Sequence, residues 1–205
     1  STSASSILEN AGSSLTLTAT LSVATTEDVT VTLSTSGTGI EGTDYGTISD
    51  ITILAGDLTG TASFTPTDDT TYEGDETGII AIDSVSGGSA TEDGTQSETL
   101  TITENESSPT ITLSTSASSI LENAGSSLTL TATSSIVTDE DIVVSISTSG
   151  TGIEGTDYGT ISDITISAGA TSATASFTPT DDSVYEGDET AIVTISGVTG
   201  ADSAV

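Results

Sequence analysis

The chain has 205 residues, a formal net charge of −31 and no lysine, arginine, histidine or cysteine. These absences exclude a disulfide, a zinc–thiolate site, a Ser-His-Asp triad and a Schiff base. They also exclude neutralisation of nucleic-acid phosphates and attraction to an anionic membrane, so any strong electrostatic partner is a cation. No apolar run reaches the roughly 18 residues of a transmembrane helix, and membrane insertion is not expected.

The predicted elements of the first part of the chain are short strands in which apolar and hydroxyl side chains alternate. In chain order they lie at residues 6–9, 15–21, 29–33, 51–53, 62–64, 78–83 and 99–103. Turn signals rich in glycine separate them, and no window shows helical periodicity. One apolar face per strand predicts an all-β fold of two tandem Greek-key β-sandwich domains, Ig-like, with about seven strands each.

The sequence repeats itself. Residues 1–20 recur unchanged at 114–133, and residues 37–53 recur at 150–166, an offset of 113 (114 − 1) in both cases. Self-similarity over the length of a domain is typical of a tandem array. We therefore expect one domain at residues 1–106 and a second at 107–205.

The two copies are cut at different phases of the repeat. The second copy is preceded by residues 109–113, whereas the first copy continues to Glu106, beyond the position that corresponds to Val205. The second domain is thus expected to lack its last strand. Two interpretations remain open: the chain is an excerpt from a longer array, or neighbouring subunits exchange strands and complete each other's open edges.

The acidic residues concentrate at strand ends. Loops from alternate strand ends meet at one pole of a sandwich, where carboxylates without basic partners repel one another. Ca²⁺ removes this repulsion and takes six to eight oxygen ligands at flexible geometry, whereas Mg²⁺ demands a stricter octahedron and retains its waters. We therefore expect Ca²⁺ to be bound in each copy.

The motifs ENAG, GTDY, TDD and YEGDE occur in this order in both copies and resemble the Calx-beta domain family. That family is a Greek-key β-sandwich of sodium–calcium exchangers, an integrin subunit and tandem arrays in large bacterial surface proteins. Its calcium ligands lie in loops at one end of the sandwich. The ligands that the resemblance implies are Glu9, Asp44, Asp50, Asp68 and Asp69 in the first copy, and Glu122, Asp157, Asp163, Asp181 and Asp182 in the second.

The chain departs from the calcium-sensing members of the family. Ser36 and Thr67 stand near positions that are acidic in those members, so we expect one or two ions per domain. Turn chemistry, in which an aspartate bonds nearby backbone amides, is the alternative to ligation. We interpret Glu73, Asp75 and Glu76 as a solvated hairpin tip. At least one of them is expected to orient a ligand residue without contacting the ion. Glu104 and Glu106 are candidates to bridge the domains through an ion.

The expected function is structural. Near-identical copies without a covalent staple indicate a calcium-binding repeat of a long extracellular surface protein, acting as a stiff adhesin stalk or filament segment. Its partners would be calcium ions and neighbouring repeats or subunits. The alternatives are a self-assembling filament subunit completed by strand exchange and a calcium-sensing regulatory module. Enzyme activity is not expected, because the paired carboxylates repeat identically and no tryptophan offers a platform for a sugar.

Overall fold

The computed structural model describes residues 1–201, so residues 202–205 at the end of the expected second domain lie outside the described part. The chain divides into two compact units. Unit 1 consists of Ser1–Asp69 and Gly74–Asn105, and unit 2 consists of Thr70–Glu73 and Glu106–Val205. In the described part, no helix is long and apolar enough to cross a membrane.

Unit 1 contains seven strands in two sheets. They are β1 (Ser6–Leu8), β2 (Leu15–Thr20), β3 (Val29–Gly37), β4 (Ile51–Ile53), β5 (Thr59–Phe64), β6 (Glu76–Ser86) and β7 (Ser97–Thr103). One sheet has the order β1-β7-β6-β3-β4, and β2 pairs with β5 in the other. The chain crosses between the sheets four times, before and after β2 and before and after β5, as in a Greek-key sandwich. The seven strands predicted from alternation are confirmed, with β3 and β6 longer than expected.

The core of unit 1 lies between its two sheets. Leu15 and Leu17 of β2 belong to the same buried cluster as Val29 of β3. Phe64 is fully buried and stacks on Tyr45, with the ring centroids 4.7 Å apart. Because β-branched and aromatic side chains fit a pleated surface, the alternation of these residues with threonine is enough to place one face of each strand inside.

Unit 2 repeats this architecture with six strands in its described part. They are β8 (Ile111–Thr115), β9 (Leu128–Ser134), β10 (Ile142–Gly150), β11 (Ile164–Ile166), β12 (Ser172–Phe177) and β13 (Ala191–Thr199). The sheets have the orders β11-β10-β13 and β12-β9-β8. Tyr158 and Phe177 stack with their centroids 4.8 Å apart, as the corresponding pair does in unit 1.

The two units differ where the counterpart of β1 would lie. In unit 1, β1 pairs in parallel with β7, which places Ile7 opposite Ile102 and leaves Ile7 only 8% exposed. Residues 119–121 repeat the sequence of β1 but form no strand in the described part of unit 2, and Leu121 is 73% exposed. An isolated extended segment gains no ladder hydrogen bonds, so this strand forms only beside its partner.

A glycine ends the long strand that precedes the acidic loop in each unit. Gly37 and Gly150 have φ angles of 123° and 124°. A side chain at Gly37 would collide with the Thr77 carbonyl oxygen, and one at Gly150 would collide with that of Thr190. Only glycine combines this backbone conformation with so close an approach, so the direction in which each acidic loop leaves the sheet is set by that residue.

Candidate metal centre

Five acidic side chains of unit 2 form two groups of carboxylates. Glu122, Asp182 and Glu186 offer carboxylate oxygens that all lie within 4.8 Å of one another, and so do Asp157, Glu186 and Glu189. Glu186 belongs to both groups. The two groups are therefore adjacent parts of one site, which we call the carboxylate centre of unit 2.

Glu122 is held by the turn that precedes β9. The Ala124 N–H donates to the Leu121 carbonyl at 3.1 Å, and Glu122 Oε1 accepts a hydrogen bond from the Asp182 N–H at 3.0 Å. This second bond connects residues 60 apart in sequence. It brings the acidic residues of the ENAG and TDD motifs together.

Asp157 is oriented by the tight loop that follows β10. Its Oδ2 accepts a hydrogen bond from the Ile153 N–H at 2.6 Å, and its carbonyl accepts one from the Thr180 N–H at 2.9 Å. The loop is thereby tied to the segment after β12, which leads directly to Asp182. A carboxylate that is fixed by backbone donors is already positioned before any ligand arrives.

Unit 1 shows the same local construction. Asp44 Oδ2 accepts from the Ile40 N–H at 2.5 Å, and Glu9 Oε1 accepts from the Asp69 N–H at 3.1 Å. Glu9 and Asp44 are only 6% and 7% exposed. Carboxylate oxygens of Glu9 and Asp69 lie within 4.8 Å of each other, which repeats the pairing of Glu122 with Asp182.

Two further glutamates of unit 1 approach this set. Carboxylate oxygens of Asp44 and Glu76, and those of Glu9 and Glu104, lie within 4.8 Å of each other. Glu104 Oε2 accepts a hydrogen bond from the Gly74 N–H at 3.0 Å, and the Glu104 N–H donates to Asp75 Oδ1 at 3.0 Å. The YEGDE turn and the end of β7 are thus connected beside the predicted ligands.

Loss of hydration and mutual repulsion both raise pKa values in the carboxylate centre of unit 2. The pKa of Glu186 is raised above its ordinary value of 4.5 by loss of hydration and then by the charges of Asp182 and Asp157. The pKa of Glu189 is raised first by loss of hydration and then by the charge of Asp157. Since the chain has no basic side chain, none is available to offset this charge.

Acidification is expected to stabilise unit 2 in the absence of metal. Because the folded-state pKa values of Glu186 and Glu189 lie above 4.5, their contribution to stability is lost as the pH rises through those values and regained as the pH falls. The unfolding temperature in EDTA should therefore rise as the pH falls from neutrality toward 4.5. Glu186→Gln should flatten this rise, whereas Asp188→Asn removes the same charge outside both groups and should preserve it. Equal slopes in the two variants would contradict the assignment.

The carboxylates of Asp50 and Asp163 accept hydrogen bonds from the backbone of β3 and β10, respectively. Asp163 Oδ1 accepts a hydrogen bond from the Ile146 N–H at 2.9 Å, and its Oδ2 accepts one from Ser145 Oγ at 3.2 Å. Asp50 accepts the corresponding bonds from Leu33 and Thr32. The pairing register shifts at these positions of both strands, where a β-bulge leaves a backbone donor without a partner in the sheet. These aspartates satisfy that donor.

Glu154 has a similar structural role. Its carboxylate accepts hydrogen bonds from Thr148 Oγ1 at 2.6 Å and from the Ile161 N–H at 2.8 Å. These bonds, the one from Thr148 first, hold the pKa of Glu154 below its ordinary value of 4.5. Glu154 stabilises unit 2 above pH 4.5, and this contribution is lost as the pH falls further. The increase in stability that we expect from protonation of Glu186 and Glu189 therefore stops near pH 4.5.

The structure thus divides the ten predicted ligands. Those that it brings into carboxylate groups or pairs are Glu9, Asp44, Asp69, Glu122, Asp157 and Asp182. Within residues 1–201 it places four outside any such group: Asp50, Asp68, Asp163 and Asp181. Ligation by these four stays a prediction that the geometry does not support.

The sequence interpretation underestimated the YEGDE turn. Glu186 and Glu189, like Glu76 in unit 1, approach the predicted ligands, although a solvated hairpin tip was expected there. The available signal was the repetition of the turn three residues after TDD in both copies, which keeps it beside the acidic run. Glu104 was expected only as a candidate to bridge the domains, but its carboxylate lies within 4.8 Å of that of Glu9.

Comparison with known proteins identifies the family. A family model for the Calx-beta domain matches residues 2–106 and again residues 104–204. The chain therefore belongs to the Calx-beta domain family and contains two copies of the domain in tandem. No curated protein sequence matches the chain.

Solved structures with similarity to the chain are remote in sequence. The calcium binding domain CBD12 of CALX1.1 is 15% identical, with a TM-score of 0.43, over 86% of this chain and 73% of that one. CBD12 from CALX1.2 is 16% identical, with a TM-score of 0.42, over 85% and 71%. The D0-D1 domain of intimin is 14% identical, with a TM-score of 0.29, over 95% and 89%.

Proposed function

We propose that the chain is a structural calcium-binding segment of an extracellular surface protein, in which the ions stiffen a stalk of tandem repeats. The observation that carries the proposal is the carboxylate centre of unit 2, where five acidic side chains converge in a chain without a basic side chain. Uncompensated charges at such short range are costly, and a bound cation removes the cost.

The donor set fits a hard cation. The carboxylate centre offers only oxygen atoms, and Ca²⁺ accepts six to eight of them at 2.3–2.6 Å. We assign Glu122, Asp182 and Glu186 to one ion and Asp157, Glu186 and Glu189 to a second, with Glu186 shared. Glu9, Asp44 and Asp69 would serve unit 1.

Calcium would take the place of a covalent staple. Small domains with modest cores commonly depend on disulfides or metals, and the chain has no cysteine. An ion at the carboxylate centre would join the turn before β9, the loop after β10 and the segment after β12. Fixing three loops at one end of a sandwich suits a load-bearing spacer between near-identical repeats.

Calorimetric titration of the chain with CaCl₂ tests the proposal. Glu186→Gln should weaken binding in unit 2 strongly, because it removes a charge shared by both groups, whereas Asp188→Asn should leave binding nearly unchanged. A dissociation constant of about 10⁻⁴–10⁻³ M fits an extracellular structural module, and one of about 10⁻⁷–10⁻⁵ M favours the regulatory sensor instead. No heat of binding, or equal weakening by both variants, would refute the assigned site.

A further inference from the structure

Unit 2 contains a short segment that lies far from the rest of the unit in sequence. This segment is Thr70–Glu73. The Tyr72 N–H donates to the Val137 carbonyl at 2.9 Å, and Tyr72 forms a parallel bridge with Thr138. Ser108 Oγ donates to the Tyr72 hydroxyl at 3.3 Å. Tyr72 is only 7% exposed, so this residue is buried where its segment meets residues 137 and 108.

The repeat supplies a second copy of this segment that is not covered. An offset of 113 places its counterpart at residues 183–186, where Tyr185 corresponds to Tyr72. Tyr185 is 95% exposed and Val184 is 61% exposed. Together with Glu122, the two line an open concavity of about 480 Å³. Tyrosine is enriched at protein–protein interfaces relative to the rest of the surface.

The receiving segment also exists twice, once covered and once open. In unit 2 it is residues 136–138, with Thr138 fully buried. Its counterpart in unit 1 is residues 23–25, where Val23 is 69% exposed. The backbone geometry is the same: the carbonyls of Thr138 and Thr25 accept from Gly169 and Gly56 at 2.9 and 2.8 Å.

The threonine side chains of the receiving segments agree as well. Thr138 Oγ1 donates to the Glu140 carbonyl at 2.8 Å, and Thr25 Oγ1 donates to the Glu27 carbonyl at 2.7 Å. Thr25 therefore makes the same local hydrogen bonds as Thr138, whose segment receives Tyr72 in unit 2. No rearrangement is needed before a partner docks there, which lowers the cost of binding.

We propose that residues 183–186 of one molecule dock on residues 23–25 of a second copy of this chain. In this contact the Tyr185 N–H donates to the Ala24 carbonyl, and the Tyr185 ring covers Val23. The two surfaces differ, so the contact is head-to-tail, and the pair of molecules retains one free docking segment and one free receiving segment. Such heterologous contacts propagate into open filaments when the rotation between subunits does not close a ring.

Charge makes this association depend on cations. Glu186 lies in the docking segment, and Glu27 and Asp28 follow the receiving one, so like charges meet across the interface. Neutralisation of Glu186 by calcium or screening by salt is therefore required. The part of this inference that concerns calcium rests on the proposed function. The docking of Tyr185 itself does not.

Sedimentation velocity over a range of protein concentrations tests the proposal. In millimolar CaCl₂ the wild-type chain should form growing oligomers, and Tyr185→Ser should weaken this association by about tenfold or more, because aromatic anchors dominate small interfaces. Val23→Asp should do the same on the receiving side, whereas Tyr185→Phe should associate like the wild type. Both altered side chains are exposed, so the variants are expected to fold, which circular dichroism verifies.

A mixture of the two defective variants gives the sharpest result. Tyr185→Ser retains an intact receiving segment and Val23→Asp an intact docking segment, so an equimolar mixture should form dimers and stop there. A wild-type chain that stays monomeric in calcium and in concentrated NaCl would overturn the proposal, as would unchanged oligomers of Tyr185→Ser, which would point to strand exchange. If the chain associates in concentrated NaCl but binds no calcium, the result would support the docking contact and refute the calcium site.

Discussion

Calcium at about 100 times its dissociation constant is expected to raise the unfolding temperature of the chain by about 10–20 °C relative to EDTA. A ligand present at about 100 times its dissociation constant stabilises the folded state by about 2.7 kcal/mol per site. In a domain of about 100 residues, each kcal/mol corresponds to about 4–8 °C. The effect is large because the stability of a typical domain is only about 5–15 kcal/mol. Differential scanning calorimetry measures it directly.

Screening of the −31 charge must be separated from specific binding. NaCl at matched ionic strength and equal MgCl₂ should each give a much smaller rise. The neighbours Asp181 and Asp182 provide a matched pair of variants, because only Asp182 belongs to a carboxylate group. Asp182→Asn should reduce the calcium effect on unit 2, and Asp181→Asn should retain it. An equal rise in all three salts would reduce the protein to an acidic spacer without ion sites.

Phe64→Ala is expected to destabilise unit 1 by about 3–5 kcal/mol, the usual cost of removing a buried aromatic ring. The Phe64 ring is fully buried and stacks on Tyr45. It is also packed so tightly against Gly78 that a Cβ atom there would lie 2.9 Å from the ring. The loss is comparable to the stability of a small domain, so unit 1 should unfold near ambient temperature.

The corresponding substitution in unit 2 is the internal control. Phe177 stacks on Tyr158 in the same way but is only partly buried, so Phe177→Ala should cost less. Urea titration followed by tyrosine fluorescence resolves the two losses in the separate variants. Equal destabilisation by the two substitutions would show that the stacking contact, rather than the depth of burial, determines the cost.

The strands and the family were accessible from the sequence. Alternation places Leu15 and Leu17 on one face and threonine on the other, and this pattern leaves no competing element for β2. The order of the motifs ENAG and TDD likewise predicted that Glu9 and Asp69 would lie near each other, and their carboxylate oxygens lie within 4.8 Å. These inferences succeed because burial of one strand face and short turns are local properties, repeated almost without change in both copies.

The choice among neighbouring carboxylates was not accessible. Asp181 and Asp182 are adjacent and equally plausible as ligands, but the hydrogen bond from the Asp182 backbone to Glu122 connects only one of them to the carboxylate centre. Asp163 is also a carboxylate at a position where a ligand was predicted, but it accepts a hydrogen bond from Ile146 of β10, opposite the bulge in β13. Both outcomes depend on which backbone donor lies opposite, and that is decided by strand register.

Tyr72 and Tyr185 show what the sequence determines about this protein and what only the tertiary structure determines. The sequence determined that both follow a TDD motif and precede a Glu-Gly-Asp-Glu turn, because the repeat copies local chemistry faithfully. Only the tertiary structure decided that one ring is 7% exposed and the other 95% exposed. Burial depends on what packs against a residue, so equivalent segments of the two copies differ in exposure when only one of them contacts a receiving segment.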